Sequence, residues 1–258
     1  MEKEFLLNEG TLTVPCKLSV PDRGEICRVV LGVHGFAGSS EDEIQVGIAE
    51  EMAMFRSAVL RFDFPAHGKS PVPDTGLTVK NCVDSLLMVA RFAREQYPEV
   101  EDLCIFASGF GAYVTLIALE ELRELSGQVK LVVQTPSVRM HETLLSMLEL
   151  SAEAFWVMGH KTIPIERPFD VTYRFYEELC QHSALVAHPI PMLILHGESD
   201  DYIRMEDIRL FHQINEQSKL VTIPGTSHRF LEEGAWDMVL DLTRDWFEFE
   251  QVLLTDCE

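Results

Sequence analysis

Strand-like and helix-like patterns alternate along most of this chain, and that rhythm limits its fold more than any other feature. Residues 26–33 (ICRVVLGV) read as a largely buried strand, 42–55 as a helix and 58–62 as a second strand of the same kind. Thr78 suits the N-cap of a helix whose apolar positions Val79, Val83, Leu86, Ala90 and Ala93 keep to one face. Residues 103–107 read as a strand and 112–125 as the helix after it. Strands follow at 129–134, 192–196 and 220–223, with helices at 205–214 and 235–249. Two short alternating segments, 4–7 and 11–20, open the chain as antiparallel edge strands ahead of the turn Pro21-Asp22-Arg23-Gly24. The pattern predicts an α/β fold, a mostly parallel eight-stranded sheet with helices on both faces.

One stretch breaks the rhythm. Between Gln134 and Pro191 more than fifty residues hold no convincing strand, too many for an ordinary connection. They are rich in large apolar groups, among them Leu144, Phe155, Trp156, Phe169, Tyr173 and Phe175, and Pro164 and Pro168 divide them. The expectation is a helical cap, 137–188, inserted after the sixth strand over the sheet's carboxyl edge, where ligands bind in such folds. The core domain is then 1–136 and 189–258. Phe155, Trp156 and Tyr173 are the candidate substrate-binding residues in the cap.

Composition narrows the function. Forty-two acidic against 21 basic residues give a formal charge of −21, a surface that repels phosphate backbones and anionic lipid. Neither nucleic acid nor a membrane is expected as a partner, and a small neutral ester suits the charge better than a polyanion. Oligomeric state is not readable. Cys16, Cys27, Cys82, Cys104, Cys180 and Cys257 are scattered without a CxxC pair, which reads as buried thiols in a reducing compartment. The acidic start MEKEFLLNEG lacks a basic-then-apolar leader, so the expected location is cytoplasmic. No GxGxxG follows the first buried strand, and no P-loop or HExxH spacing occurs, so neither cofactor nor metal is expected.

The chemistry-bearing segments all follow strands. They are His34-Gly35-Phe36, Asp63-Phe64-Pro65-Ala66-His67-Gly68-Lys69-Ser70, Ala107-Ser108-Gly109-Phe110-Gly111, His196-Gly197-Glu198-Ser199-Asp200 and Gly225-Thr226-Ser227-His228-Arg229-Phe230. The second is turn chemistry, and Asp63 and His67 read as holding a loop in place. In the third, small residues at Ala107, Gly111 and Ala112 let strand and helix approach closely, and the new helix aims its amide dipoles at position 109. Either Asp200 or Asp201 could serve as an acid or merely cap the helix near Met205. His228 could equally be an ordinary surface histidine.

Together these five segments resemble the α/β-hydrolase superfamily, closest in pattern to its bacterial serine esterases and acyl-peptidases, including cinnamoyl- and feruloyl-esterase-like members. The resemblance spans nearly the whole chain. It implies an esterase with Asp200 as acid, selected over Asp201 by the Gly-x-x-Asp spacing, and His228 as base. It also implies an oxyanion hole from the amides of Phe36 and Phe110. In that family a serine at the centre of Gly-x-Ser-x-Gly attacks the substrate, and here the central position is Gly109. Ser108 is a poor substitute, because neighbouring strand residues point to opposite faces. Glycine also relieves the left-handed strain of that corner.

The expectation is a carboxylesterase scaffold for a small apolar or aromatic acyl ester, inactive or very slow as written. An engineered change and a natural loss would both produce such a chain. The alternatives are a non-catalytic small-molecule-binding pseudo-hydrolase and a serine-independent enzyme using the His–Asp pair alone.

Overall fold

The computed structural model describes residues 1–249. Eight strands form one sheet: β1 (Glu2–Glu9), β2 (Leu12–Ser19), β3 (Arg28–Val33), β4 (Ser57–Phe62), β5 (Asp102–Ser108), β6 (Gln128–Gln134), β9 (Met192–Gly197) and β10 (Ser218–Ile223). Their spatial order is β1-β2-β4-β3-β5-β6-β9-β10. The two first strands pair antiparallel and every neighbouring pair from β4 onward is parallel. The expected sheet is therefore the observed one. All six residues of β4 and all six of β9 are buried, the pattern of strands covered on both faces. The edge strand β1 is mostly exposed and carries Glu2, Lys3, Glu4 and Glu9, charges that discourage pairing with another sheet edge.

Helices cover both faces. α1 (Glu43–Met54) and α9 (Ala235–Phe249) share one apolar layer, in which Ile48, Met52, Val239 and Phe247 meet Val30, Val59 and Leu193 from the sheet. The other layer holds α2 (Val79–Gln96), α3 (Gly109–Ile117), α4 (Leu119–Ser126) and α8 (Met205–Ile214). α2 starts as its sequence dictates, with the Thr78 hydroxyl accepting from the Asn81 amide at 3.0 Å. The helix expected over 112–125 differs in two ways. It begins earlier, at Gly109, and it breaks at Ala118 into α3 and α4. Within α3 the Thr115 hydroxyl bonds back to the Gly111 carbonyl at 2.8 Å, an arrangement that bends helices.

The segment between β6 and β9 is not wholly helical. Besides α5 (Met140–Leu148), α6 (Ala152–Met158) and α7 (Tyr173–Gln181), it contains a small hairpin of β7 (His160–Ile163) and β8 (Phe169–Thr172). The hairpin corrects the helix-only expectation. Each strand is only four residues long and faces solvent on one side, too short for its alternation to register. Its loop holds Pro164 and Pro168, which suit a turn. The segment is tied to the sheet's carboxyl side by the Arg167 guanidinium on the Gly68 carbonyl at 2.7 Å and by the Asp170 amide on Asp74 at 2.8 Å.

Cys16, Cys82 and Cys104 are buried, but Cys27 and Cys180 are exposed, which corrects the reading of all six as buried. Cys257 lies outside the described residues. No helix among them is long and apolar enough to cross a membrane.

Candidate active site

The parallel strands deliver their loops to one edge of the sheet, and the central corner there is the passage from β5 to α3. Ser108 is still extended, at φ −108° and ψ 138°. Gly109 then turns to φ +48°, in the left-handed region that side chains disfavour. Gly111 serves a different need. A Cβ there would press on the backbone carbonyl of His34 and stand 2.7 Å from that of Val33, so only glycine lets α3 lie this close to β3. The Ser108 hydroxyl points to the neighbouring strand, donating to Gln134 Oε1 at 3.1 Å.

A Cβ built on Gly109 has ordinary surroundings. It would stand 3.9 Å from His228 Nε2, 3.9 Å from Gly35 Cα and 3.8 Å from Ser137 Oγ. The corner is held by the Ser137 amide, which donates to the Gly109 carbonyl at 3.2 Å.

His228 reaches this point from the loop after β10. Its Nδ1 faces Asp200 Oδ2 at 2.8 Å, which leaves Nε2 directed at residue 109. The Asp200 side chain is fully buried, whereas that of His228 remains 26 % exposed. Asp200 Oδ1 accepts from the amides of Tyr202 and Ile203 at 2.8 and 2.9 Å. Burial alone would push the Asp200 carboxyl up. The bond and charge of the His228 ring, with the two amides, overcome that and hold it below its ordinary value. Asp201, the alternative acid, is exposed. A second imidazole, His196, is buried with its Nδ1 3.9 Å from Asp200 Oδ2, and burial keeps it below its ordinary pKa.

Across the corner lies His34-Gly35-Phe36. The His34 ring braces this loop: Nδ1–H donates to the Gly35 carbonyl at 2.8 Å, and Nε2 accepts from the Phe64 amide at 3.1 Å. The Phe36 amide has no protein acceptor among the described residues. The Phe110 amide lies in the first turn of α3, where a helix leaves its N–H groups unpaired. The side chain of Phe36 enters an aromatic cluster with Phe110, Phe169 and Phe175, at centroid distances of 5.9, 5.7 and 6.4 Å. The last two residues come from the segment between β6 and β9, which thus packs directly on this loop.

The Asp63 to Ser70 loop is built as a brace. Asp63 accepts from the amides of Ser40 at 2.7 Å and Lys69 at 2.8 Å. His67 is completely buried, and its Nδ1–H donates to the Pro65 carbonyl at 2.8 Å. Burial first, then the neighbouring His34, lowers its pKa to about 3, so it stays neutral.

The three aromatic residues expected to contact substrate are placed differently. Phe155 is fully buried, with Tyr173 and Tyr176 as ring partners at 5.6 and 6.1 Å. Trp156 is 67 % exposed. These residues build the inserted segment's own core and surface, as α6 and α7 pack together. A polar cleft of about 230 Å³ is lined instead by Val138, Arg139, Glu142, Tyr202, Ile203 and Asp207 among others. It shares with the site Tyr202, whose ring lies edge-on to His228 at 5.2 Å. Arg139 is paired with Asp207 at 2.9 Å and Glu142 at 3.3 Å, so the cleft carries charge without an unmatched cation.

Sequence reasoning missed Ser137 and Tyr202. Ser137 had a usable signal, since it lies in the loop leaving β6, a strand whose carboxyl end faces the same edge as the other site loops. Among the described residues no group of three or more His, Cys, Asp or Glu side chains is placed to hold a metal ion.

No protein-family model matches the chain, and no curated protein matches it in sequence. Solved structures do match. Est1E from Butyrivibrio proteoclasticus, in a complex with ferulic acid, is similar with a TM-score of 0.81 and 21% identity over 94% of this chain and 97% of its own. A hydrolase structure from Agrobacterium vitis aligns at 0.78, with 17% identity over 96% of this chain and 99% of its own. The mouse alpha/beta hydrolase domain-containing protein 10 aligns at 0.77, with 18% identity over 96% of this chain and all of its own. TM-scores of 0.77 to 0.81 with near-complete coverage in both directions, on a mostly parallel eight-stranded sheet flanked by helices, show that this chain has the α/β-hydrolase fold.

Proposed function

We propose that this chain is built as a carboxylic-ester hydrolase in which glycine occupies the position of the attacking residue. The observation that carries the reading is the 3.9 Å between His228 Nε2 and a Cβ at residue 109, with Asp200 bonded to the opposite ring nitrogen. A serine oxygen extending from that Cβ comes within hydrogen-bond reach of Nε2.

With serine at 109 the reaction is an acyl transfer in two stages. His228 takes the hydroxyl proton as the oxygen attacks the ester carbonyl, and buried Asp200 fixes the ring tautomer and offsets the imidazolium charge. The amides of Phe36 and Phe110 face the oxygen on which negative charge develops. His228 then returns the proton to the departing alcohol, and water releases the acid from the acyl-enzyme. With glycine at 109 no acyl-enzyme forms at that position. The His–Asp pair and the amide donors are left to assist water directly, which still supports on the order of 10³-fold over solution. The segment 137–188 acts as a cap over this edge, supported by the packing of Phe169 and Phe175 on Phe36. The substrate expected is a small apolar or aromatic acyl ester, its acyl group against the Phe36 cluster and its other side toward the polar cleft.

The test is a panel of aryl and alkyl esters assayed with the chain as it stands and with Gly109→Ser. The expected result is a rate higher on the order of 10³-fold or more in the serine variant. Equal, background-level rates in both, together with tight binding of a metabolite, would favour a non-catalytic binder.

A further inference from the structure

We propose that Ser137 is a water-positioning residue for this site, holding the hydrolytic water that stands in for a side-chain nucleophile. The inference rests on the ester-hydrolase reading above and names a residue that neither the motifs nor the resemblance assigns. Three observations carry it. Ser137 Oγ and His228 Nε2 flank the same point, 3.8 and 3.9 Å from where a Cβ on residue 109 would stand. The Ser137 residue is only 3 % exposed, yet its hydroxyl has no hydrogen-bond partner among the described residues. That hydroxyl is also not completely enclosed, so water can reach it. Finally, Ser137 is fixed to the corner by its backbone, whose amide donates to the Gly109 carbonyl at 3.2 Å.

A water seated off this point, nearer to both groups, donates one O–H to His228 Nε2 and the other to Ser137 Oγ, leaving a lone pair free for attack. Its oxygen forms a bond to the ester carbonyl carbon while its proton passes to Nε2. The carbonyl π pair moves onto the oxygen facing the Phe36 and Phe110 amides. Collapse breaks the carbon–oxygen bond to the alcohol, which leaves with the proton that His228 returns. Acid and alcohol are the products, and no covalent intermediate forms.

The experiment measures nitrophenyl butyrate turnover over a range of ester concentrations for the chain as it stands, His228→Ala, Ser137→Ala and Ser137→Thr, with Gly109→Ser as reference. Losing one water-holding hydrogen bond lowers kcat about fivefold in Ser137→Ala, with KM within about twofold. Ser137→Thr restores most of the rate, and His228→Ala removes the protein-dependent rate. Hydrolysis in ¹⁸O-water places one label in the acid, and mass spectrometry finds no acyl adduct on the protein. The backbone tie to Gly109 survives every Ser137 substitution, and a circular-dichroism melt confirms that each variant is folded. An unchanged kcat in Ser137→Ala, or an acyl adduct on Ser137 itself, overturns the proposal. If that happens while Gly109→Ser still forms an acyl-enzyme, only the role of Ser137 fails. If Gly109→Ser neither acylates nor turns over any ester, the hydrolase reading fails and takes the proposal with it.

Discussion

Gly109 and Gly111 begin the same helix two residues apart, and they answer to different demands. At Gly111 a Cβ would run into the Val33 and His34 carbonyls, so close packing of α3 on β3 requires glycine. At Gly109 a Cβ meets nothing nearer than 3.8 Å, and only the left-handed φ of +48° favours glycine. The fold thus forbids a side chain at 111 and merely strains one at 109. Packing therefore does not account for the bare corner. A side chain is accommodated there, and it would be aimed at an imidazole whose far nitrogen is already bonded to a buried carboxylate.

The largest effects test whether that aim matters. In a Gly109→Ser background, His228→Ala should lower kcat/KM on the order of 10⁵-fold and Asp200→Asn on the order of 10⁴-fold, by steady-state ester hydrolysis. A loss of less than tenfold in Asp200→Asn would remove Asp200 from its supporting role. Next come the packing predictions. Gly111→Ala should destabilise the fold by about 3 kcal/mol in urea denaturation, because backbone carbonyls yield poorly to an added methyl. A variant as stable as the parent would break the contrast between the two glycines.

The loop behind Phe110 supplies a third check, through pH. His67 is held near a pKa of about 3, far below its ordinary 6.5. Below pH 6.5 the unfolded chain takes up this proton before the folded one. The stability contributed is complete above 6.5 and falls by about 1.4 kcal/mol per pH unit as the pH drops toward 3. His67→Gln should flatten that acid limb in denaturation curves taken at several pH values, and an unaltered slope would show that His67 is not held neutral. The smallest effect is the strain itself. Gly109→Ser should lower stability by about 1 kcal/mol, seen as a fall in Tm of a few degrees. A loss as large as that of Gly111→Ala would mean that residue 109 too is glycine for lack of room.

What could be read in advance follows from how far each signal reaches along the chain. Strand–helix alternation is local and repeated, so the sheet and most helices were legible, as was the loop position of His228 and Asp200. The β7–β8 hairpin was not, because two four-residue strands with solvent on one side give too few alternations. The break at Ala118 was hidden because the Thr115 back-bond that accompanies it depends on rotamer rather than residue type. Phe155, Trp156 and Tyr173 had the chemistry of a pocket wall, yet the helices carrying them turn them toward one another or outward. Ser137 and Tyr202 were missed for the opposite reason: the loop after β6 pointed to the right edge, but not to which of its residues reaches the site. Single polar residues in a loop carry no pattern, and only the folded sheet edge shows that they meet residue 109 and His228.

The most direct measurement is rapid mixing of Gly109→Ser with a nitrophenyl ester. The account predicts a burst of one nitrophenolate per chain, together with an acyl group on residue 109 by mass spectrometry. No burst and no adduct, across several aryl and alkyl esters with a folded variant, would contradict the claim that this corner is the nucleophile position of a hydrolase site.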